Sequence, residues 1–491
     1  MSGNVIRTAP AHAGSTAYIN ARIVDPSTDK EYVGAVLISD GKIADFGPNL
    51  FASGAPYGIE SIDCRGLYLA PGVVDARVHT GEPGEEHKET LESAGIAATA
   101  GGITSLVLLP DNEPPFDDAS LIEFVARRAR QVKLTNMYAY GALTVGLEGK
   151  QLAEMGLLAE AGAVAFTDAD HAVGNAQVLR RALYYAKAFD ALIVHLPQEP
   201  TLSTGHLTSG EIATRMGLSG NPPLAEVMMV ERDIRLAQMT GGRLHLSKIS
   251  TAESIEAIAR AKDRGLRITC DTAPPYFALN DLAVGDYRTF GKLVPPLRAE
   301  QDRVAVIEGL KSGVIDAIVS DHRPQDQESK RVPFAQAEPG GIGLETLLPV
   351  SLELVHNKHL TLPQLFQRLS TMPARLFGLP GGRLAKGAPA DLIVFDPDYA
   401  WKIDRDDLLS KTKNSPFDER PVQGRVMATV VNGRTIYQDL PALLQQQKLQ
   451  QAVAQQALLN NSTPPPNAAQ LLMGAGTPGE PSLPQSPLRL Y

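Results

Sequence analysis

The chain has 491 residues, 43% of them hydrophobic and 21% charged, values that exclude wholesale disorder and fibrous classes. With 46 Lys and Arg against 55 Asp and Glu the formal net charge is −9, which argues against a nucleic-acid binder. Two cysteines, Cys64 and Cys270, cannot build a disulfide framework or a Cys-x-x-Cys zinc site. Residues 1–18 lack an apolar signal core, and no run of about 18 apolar residues suggests a membrane span. The expectation is a cytoplasmic protein with no nucleic-acid or membrane partner.

In chain order, the first elements read as short strands. Ala17 to Val24 ends at Asp25-Pro26, Gly34 to Ser39 runs into the turn dipeptide Asp40-Gly41, and Lys42 to Gly47 follows. From about residue 65 apolar runs suited to buried parallel strands take over, at 67–70, 104–109, 163–166, 191–194, 243–246, 266–269 and 317–320. Helix-like stretches at 119–131, 177–189 and 252–264 separate several of them. Strands alternating with helices over roughly 300 residues predict an α/β fold, a (β/α)8 TIM-like barrel. An open doubly wound sheet is the rival, but no GxGxxG loop follows the first strand.

Strands return at 391–396 and 426–431, the latter followed by the turn Asn432-Gly433. They predict a small β-sandwich domain formed from both ends of the chain, residues 1–66 and 381–440, around a barrel of residues 67–380. Residues 441–491 are first Gln/Ala/Leu-rich and helix-prone, then Pro-rich around Pro464-Pro465-Pro466, and are expected to be a flexible tail.

A (β/α)8 barrel carries its chemistry at the carboxyl ends of its strands. Polar residues just past the apolar runs are Asp75, Arg77, His79, Asp168, His195, Lys248 and Asp321. Singly, each has a bland explanation, since a strand-end Asp commonly caps the next helix and a lone His is more often a core residue than a ligand. As a set they place ionisable groups at one mouth.

Several segments carry a resemblance. Pro71-Gly72-Val73-Val74-Asp75, Glu82-Pro83-Gly84-Glu85-Glu86-His87-Lys88-Glu89-Thr90, Ala100-Gly101-Gly102-Ile103-Thr104, Pro295-Pro296-Leu297-Arg298, Asp321-His322 and Gly343-Leu344-Glu345-Thr346 resemble the dihydroorotase family of the amidohydrolase superfamily. Lys386 to Leu392 looks like the strand that returns to the family's small β domain. The resemblance spans roughly residues 17–438. It implies a metal-dependent hydrolase of cyclic amides in pyrimidine biosynthesis, with zinc polarising the amide and Asp321 as general base.

The departures from that pattern are as informative. The family's His-x-His is Arg77-Val78-His79, and a later metal histidine aligns with Lys248. A guanidinium offers no lone pair to a metal. A charge pair at 4 Å is worth about 4 kcal/mol at an effective dielectric near 20, so each cation opposes a divalent ion by roughly 8 kcal/mol. Two such terms cancel the roughly 10–16 kcal/mol of a structural zinc site. If a metal is retained, His79, Asp168, His195 and Asp321 are left to hold it. Otherwise Arg77 and Lys248 replace the ion and neutralise Asp168 and Asp321.

Substrate positions are altered too. The family's carboxylate-binding Arg is Gly81, its Pro-Asn-Thr loop reads Pro110-Asp111-Asn112, and the Asn before Pro-Pro-Leu-Arg is Val294. The His after Asp-His-Ala-Pro is Gln325, and Pro275-Tyr276 stand in place of a His pair. The leading expectation is a catalytically impaired or inactive dihydroorotase-like protein without a cofactor, with Asp321 a vestigial base. By resemblance it would be a structural partner of aspartate carbamoyltransferase in a homo- or hetero-oligomer. The alternative is an active zinc-dependent dihydroorotase or related cyclic-amide hydrolase.

Overall fold

The computed structural model describes residues 4–5, 14–52, 54, 57–439 and 441–443. The chain divides into two compact units, Met1–Leu440 and Pro441–Tyr491. The helix-prone and Pro-rich readings of the tail fall almost wholly outside the described residues.

Within the first unit, strands from both ends of the chain form one nine-stranded sheet. Its path runs Asn4–Val5, Arg434–Gln438, Pro421–Val431, Leu392–Lys402, Tyr68–Pro71, Thr16–Asp25, Lys30–Ser39 and Lys42–Gly47, with Glu60–Asp63 also paired to Thr16–Asp25. The Asp40-Gly41 hairpin forms as predicted, both residues taking positive φ (51° and 75°) as a two-residue turn between right-twisted strands requires. Asn432-Gly433 repeats this at the other end of the chain, with φ of 49° and 75°.

One strand falls in the other layer from the one expected. Tyr68–Pro71 pairs with Leu392–Lys402 and with Thr16–Asp25, so it belongs to the small sheet and not to the barrel. Its apolar content serves both surroundings equally, which is why periodicity alone misplaced it. Barrel strands start only after Gly72, where a Cβ would lie 2.2 Å from the Thr104 side chain.

The barrel follows as parallel strands Val73–Val78, Ile103–Leu108, Asn136–Ala139, Gly141–Ala142 with Phe166–Thr167, Leu192–His195, Arg243–Leu246, Ile268–Thr272 and Ala317–Ile318. The Asn136–Ala139 strand was not singled out from sequence. A parallel bridge between Val78 and His322, with the His79 amide donating to the His322 carbonyl at 2.8 Å, joins last strand to first. Asp75 adds to the seam, its Oδ1 accepting from the Ser320 amide at 3.0 Å. The strand residues are buried on both faces, as closed parallel sheets require.

The helices predicted at 119–131, 177–189 and 252–264 are found at Ala119–Val132, Ala176–Ala186 and Ala252–Asp263. Their starts are set by side-chain caps: Asp118, Asn175 and Thr251 each accept from a first-turn amide. Among the described residues no helix is long and apolar enough to cross a membrane.

Candidate functional site

Three barrel strands end in residues with left-handed backbone: Ala169 (φ 53°), Lys248 (φ 55°) and Asp321 (φ 51°). None is a glycine, and each such residue costs on the order of 1–3 kcal/mol, strain that concentrates at functional mouths of folds. At these turns the chain aims charged side chains into the barrel mouth.

A continuous network of opposite charges fills it. Arg77, only 1% exposed, donates from Nε to Asp321 Oδ1 at 3.1 Å, from Nη1 to Ser247 Oγ at 3.2 Å, and from Nη2 to Asp170. Lys248 Nζ, equally buried, meets Asp170 Oδ1 at 2.8 Å, Asp321 Oδ1 at 3.2 Å and the Val294 carbonyl at 2.5 Å. Arg323 completes the set: its Nε is 3.0 Å from Asp170 Oδ2, and its Nη2 donates to Asp111 Oδ2 at 2.5 Å. Asp111 also holds His79, its Oδ1 lying 3.0 Å from His79 Nδ1. Three cations thus face three carboxylates in a space where unpaired charge would be prohibitive.

The electrostatics follow from that packing. Burial opposes the charge on Arg77 and Arg323, but the carboxylates outweigh it and raise both guanidinium pKa values. Burial pushes Asp170 upward, yet Lys248, Arg323 and Arg77 together hold it far below the usual carboxylate range. Asp111 is likewise held well down by Arg323 and His79 against its burial. Asp321 behaves differently: burial outweighs Lys248 and Arg77 and raises its pKa.

The partner of the two misplaced cations is therefore Asp170 together with Asp321, and not Asp168 as the sequence suggested. Asp168 turns away from the mouth. Its Oδ1 accepts from the Leu143 and Thr144 amides at 3.0 and 2.9 Å and its Oδ2 from Thr144 Oγ1 at 2.5 Å, a cap for the neighbouring loop. Asp170 and Arg323 were both missed. The signals were the doubled acid of Asp168-Ala169-Asp170 and an Arg in the Ala position of the family's Asp-His-Ala-Pro.

His195 is also engaged elsewhere. Its Nδ1 lies 2.6 Å from Asp233 Oδ2, and its Nε2 accepts from the Val173 amide at 2.9 Å, so the lone pair a metal would take is occupied. His322 Nδ1 accepts from the Gly343 amide at 3.2 Å. Among the described residues no group of three or more His, Cys, Asp or Glu side chains is placed to hold a metal ion. The family's metal needs neutral imidazoles and carboxylates converging on one point. A guanidinium, an ammonium and a hydrogen-bonded His195 do not fit it.

The substrate positions have acquired other duties. Gly81 sits where a Cβ would meet the Glu85 carbonyl oxygen at 1.9 Å, because the Glu85 amide closes a tight turn onto the Gly81 carbonyl. Asn112 Nδ2 donates to the Thr80 carbonyl at 2.8 Å, and Gln325 Nε2 to that of Pro339 at 2.8 Å. Tyr276 Oη donates to the Pro295 carbonyl at 2.8 Å. Arg298 is buried against Glu226 and Ser250.

A closed parallel barrel flanked by a sheet from both chain ends, with ionisable groups at its strand ends, defines an amidohydrolase-type protein. The dihydro-orotase-like family model matches residues 66–254 and an amidohydrolase family model residues 354–437. A dihydroorotase of Wolbachia sp. subsp. Brugia malayi is 41% identical over 437 residues, covering 88% of this chain and 98% of that protein. One from Desulforapulum autotrophicum is 43% identical, covering 85% and 98%. Among solved structures the L-hydantoinase (dihydropyrimidinase) of Arthrobacter aurescens superposes with a TM-score of 0.77 at 25% identity, covering 86% of this chain and 96% of that one. The chain belongs to the dihydroorotase-like family of amidohydrolases.

Proposed function

We propose that this protein is a dihydroorotase-like member of the pyrimidine pathway whose barrel mouth no longer hydrolyses cyclic amides and holds no metal. Arg77 and Lys248, which bind Asp170 and Asp321 directly, support this reading above all else. In it they supply internally the positive charge that a divalent ion would otherwise bring. Asp321, the family's base, has both oxygens committed to Arg77 and Lys248 and cannot accept a substrate proton without breaking ion pairs.

On this reading the fold is kept for assembly, as a structural partner of aspartate carbamoyltransferase in a homo- or hetero-oligomer. An active cyclic-amide hydrolase is the second reading. It is favoured by relatives named dihydroorotase at 41–43% identity over almost their whole length and by the burial-raised Asp321. Metal analysis of chelator-free protein, with dihydroorotate turnover and co-purification with aspartate carbamoyltransferase, separates them. Substoichiometric metal, no turnover and a stable complex are expected. Bound zinc with turnover lost in Asp321→Ala overturns the proposal.

A further inference from the structure

Away from the ion-pair network, a cavity of about 640 Å³ lies between the 287–290, 325–332 and 405–418 segments. Neither Arg77, His79, Lys248 nor Asp321 is among its lining residues. In a chain with net charge −9 this lining is reversed in sign: six cations face three carboxylates. All three carboxylates are already engaged, Asp326 with His87 at 3.1 Å, and Asp406 and Asp418 with Arg405 Nε at 3.9 and 3.7 Å.

Four of the cations are tied to neutral carbonyls. Arg288 Nη2 donates to the Asp418 carbonyl at 3.3 Å, Lys330 Nζ to those of Glu338 and Thr289 at 2.5 and 3.3 Å, Lys411 Nζ to that of Glu86 at 2.6 Å, and Lys413 Nζ to that of Leu408. Among the described residues none of these four is in an ion pair. Carbonyl contacts fix where the positive groups stand without cancelling them. Lys330 is 4% exposed, a costly place for an ammonium that makes no ion pair among the described residues. Burial, reinforced by Lys292, lowers its pKa to about 7 against the pull of Glu338. Phe290, Tyr287 and Val332 add an apolar wall, so the space suits more than a bare inorganic ion.

We propose that this cavity is a binding site for a small organic polyanion bearing phosphoryl or carboxylate groups, separate from the barrel mouth. The claim is independent of whether the barrel is catalytic.

The test is calorimetric titration of the full-length protein with pyrophosphate and, separately, with citrate, at ionic strength matched with sodium chloride. Saturable binding of either probe, weakened about tenfold or more by Arg288→Gln or Lys330→Met, is expected, since each substitution removes one charge-assisted contact. Binding of pyrophosphate alone points to a phosphorylated ligand, and of citrate alone to a polycarboxylate. The proposal is overturned if neither probe binds saturably, or if binding survives both substitutions in protein that still unfolds cooperatively.

Discussion

Arg77 and Asp321 stand at the ends of the first and last barrel strands, 244 positions apart in sequence, and meet with Nε 3.1 Å from Oδ1. That contact lies beside the strand seam closed by Val78 and His322, so barrel closure and charge neutralisation are one structural event. Removing one member of such a buried pair leaves an uncompensated charge, whereas removing both does not. Arg77→Met should destabilise the protein by about 3–5 kcal/mol in denaturant unfolding. Adding Asp321→Asn should recover part of that, with a coupling of about 1 kcal/mol or more in a double-mutant cycle. Additive losses would show that the pair does not act as a unit.

Restoring imidazoles tests the metal question from the opposite direction. The double substitution Arg77→His and Lys248→His removes two positive charges, takes both ion-pair partners from Asp321 and leaves Asp170 with Arg323 alone. Zinc content, measured by mass spectrometry, should rise from near background to a substantial fraction of one per chain. Dihydroorotate turnover should stay at background, because the substrate-carboxylate position is still Gly81. If the unaltered protein already carries stoichiometric zinc, the ion-pair reading fails.

Much of the fold was legible because its signals are local. Paired Asp-Gly and Asn-Gly turns marked the hairpins, and helix-like stretches at 177–189 and 252–264 marked the helices found at Ala176–Ala186 and Ala252–Asp263. The site was only half legible. Arg77 and Lys248 stood out against the family pattern, but their anion partner depends on a one-residue question that sequence does not answer. Asp168 and Asp170 straddle Ala169, whose left-handed φ turns one acid toward the Thr144 loop and the other into the mouth. Likewise the run at 67–70 was placed in the barrel although Tyr68–Pro71 belongs to the sheet, because both bury the same apolar pattern. Non-local pairing decided both.

Gly81 explains why a substrate clamp cannot simply be reinstated. Its Cβ position coincides with the Glu85 carbonyl, a backbone atom that cannot swing aside as a side chain can. Gly81→Ala and Gly81→Arg should each lower stability by about 2 kcal/mol or more through forced displacement of the turn, as overpacking does elsewhere. A shift in the unfolding midpoint common to both variants is the expected result. A stable, active Gly81→Arg protein would mean that the 81–85 turn is looser than this geometry requires.

Glu345 gives the fold a pH dependence of determinate sign. Burial raises its carboxyl to about 7, although the Ser410 and Leu409 amides, donating to Oε1 at 3.1 and 2.7 Å, favour the charged form. A carboxyl whose folded pKa exceeds its unfolded value binds more protons in the folded state. Its contribution to stability is therefore full below about pH 4.5 and is lost as pH rises through about 7. The amplitude is at most about 3 kcal/mol. Glu345→Gln keeps an oxygen for both amides while removing the charge. Denaturant melts from pH 4.5 to 8 should show a flatter stability profile for this variant, with its largest gain over the unaltered protein at the alkaline end. An identical slope in both proteins would place the titration on another group, such as Asp391, whose carboxyl burial raises to about 6.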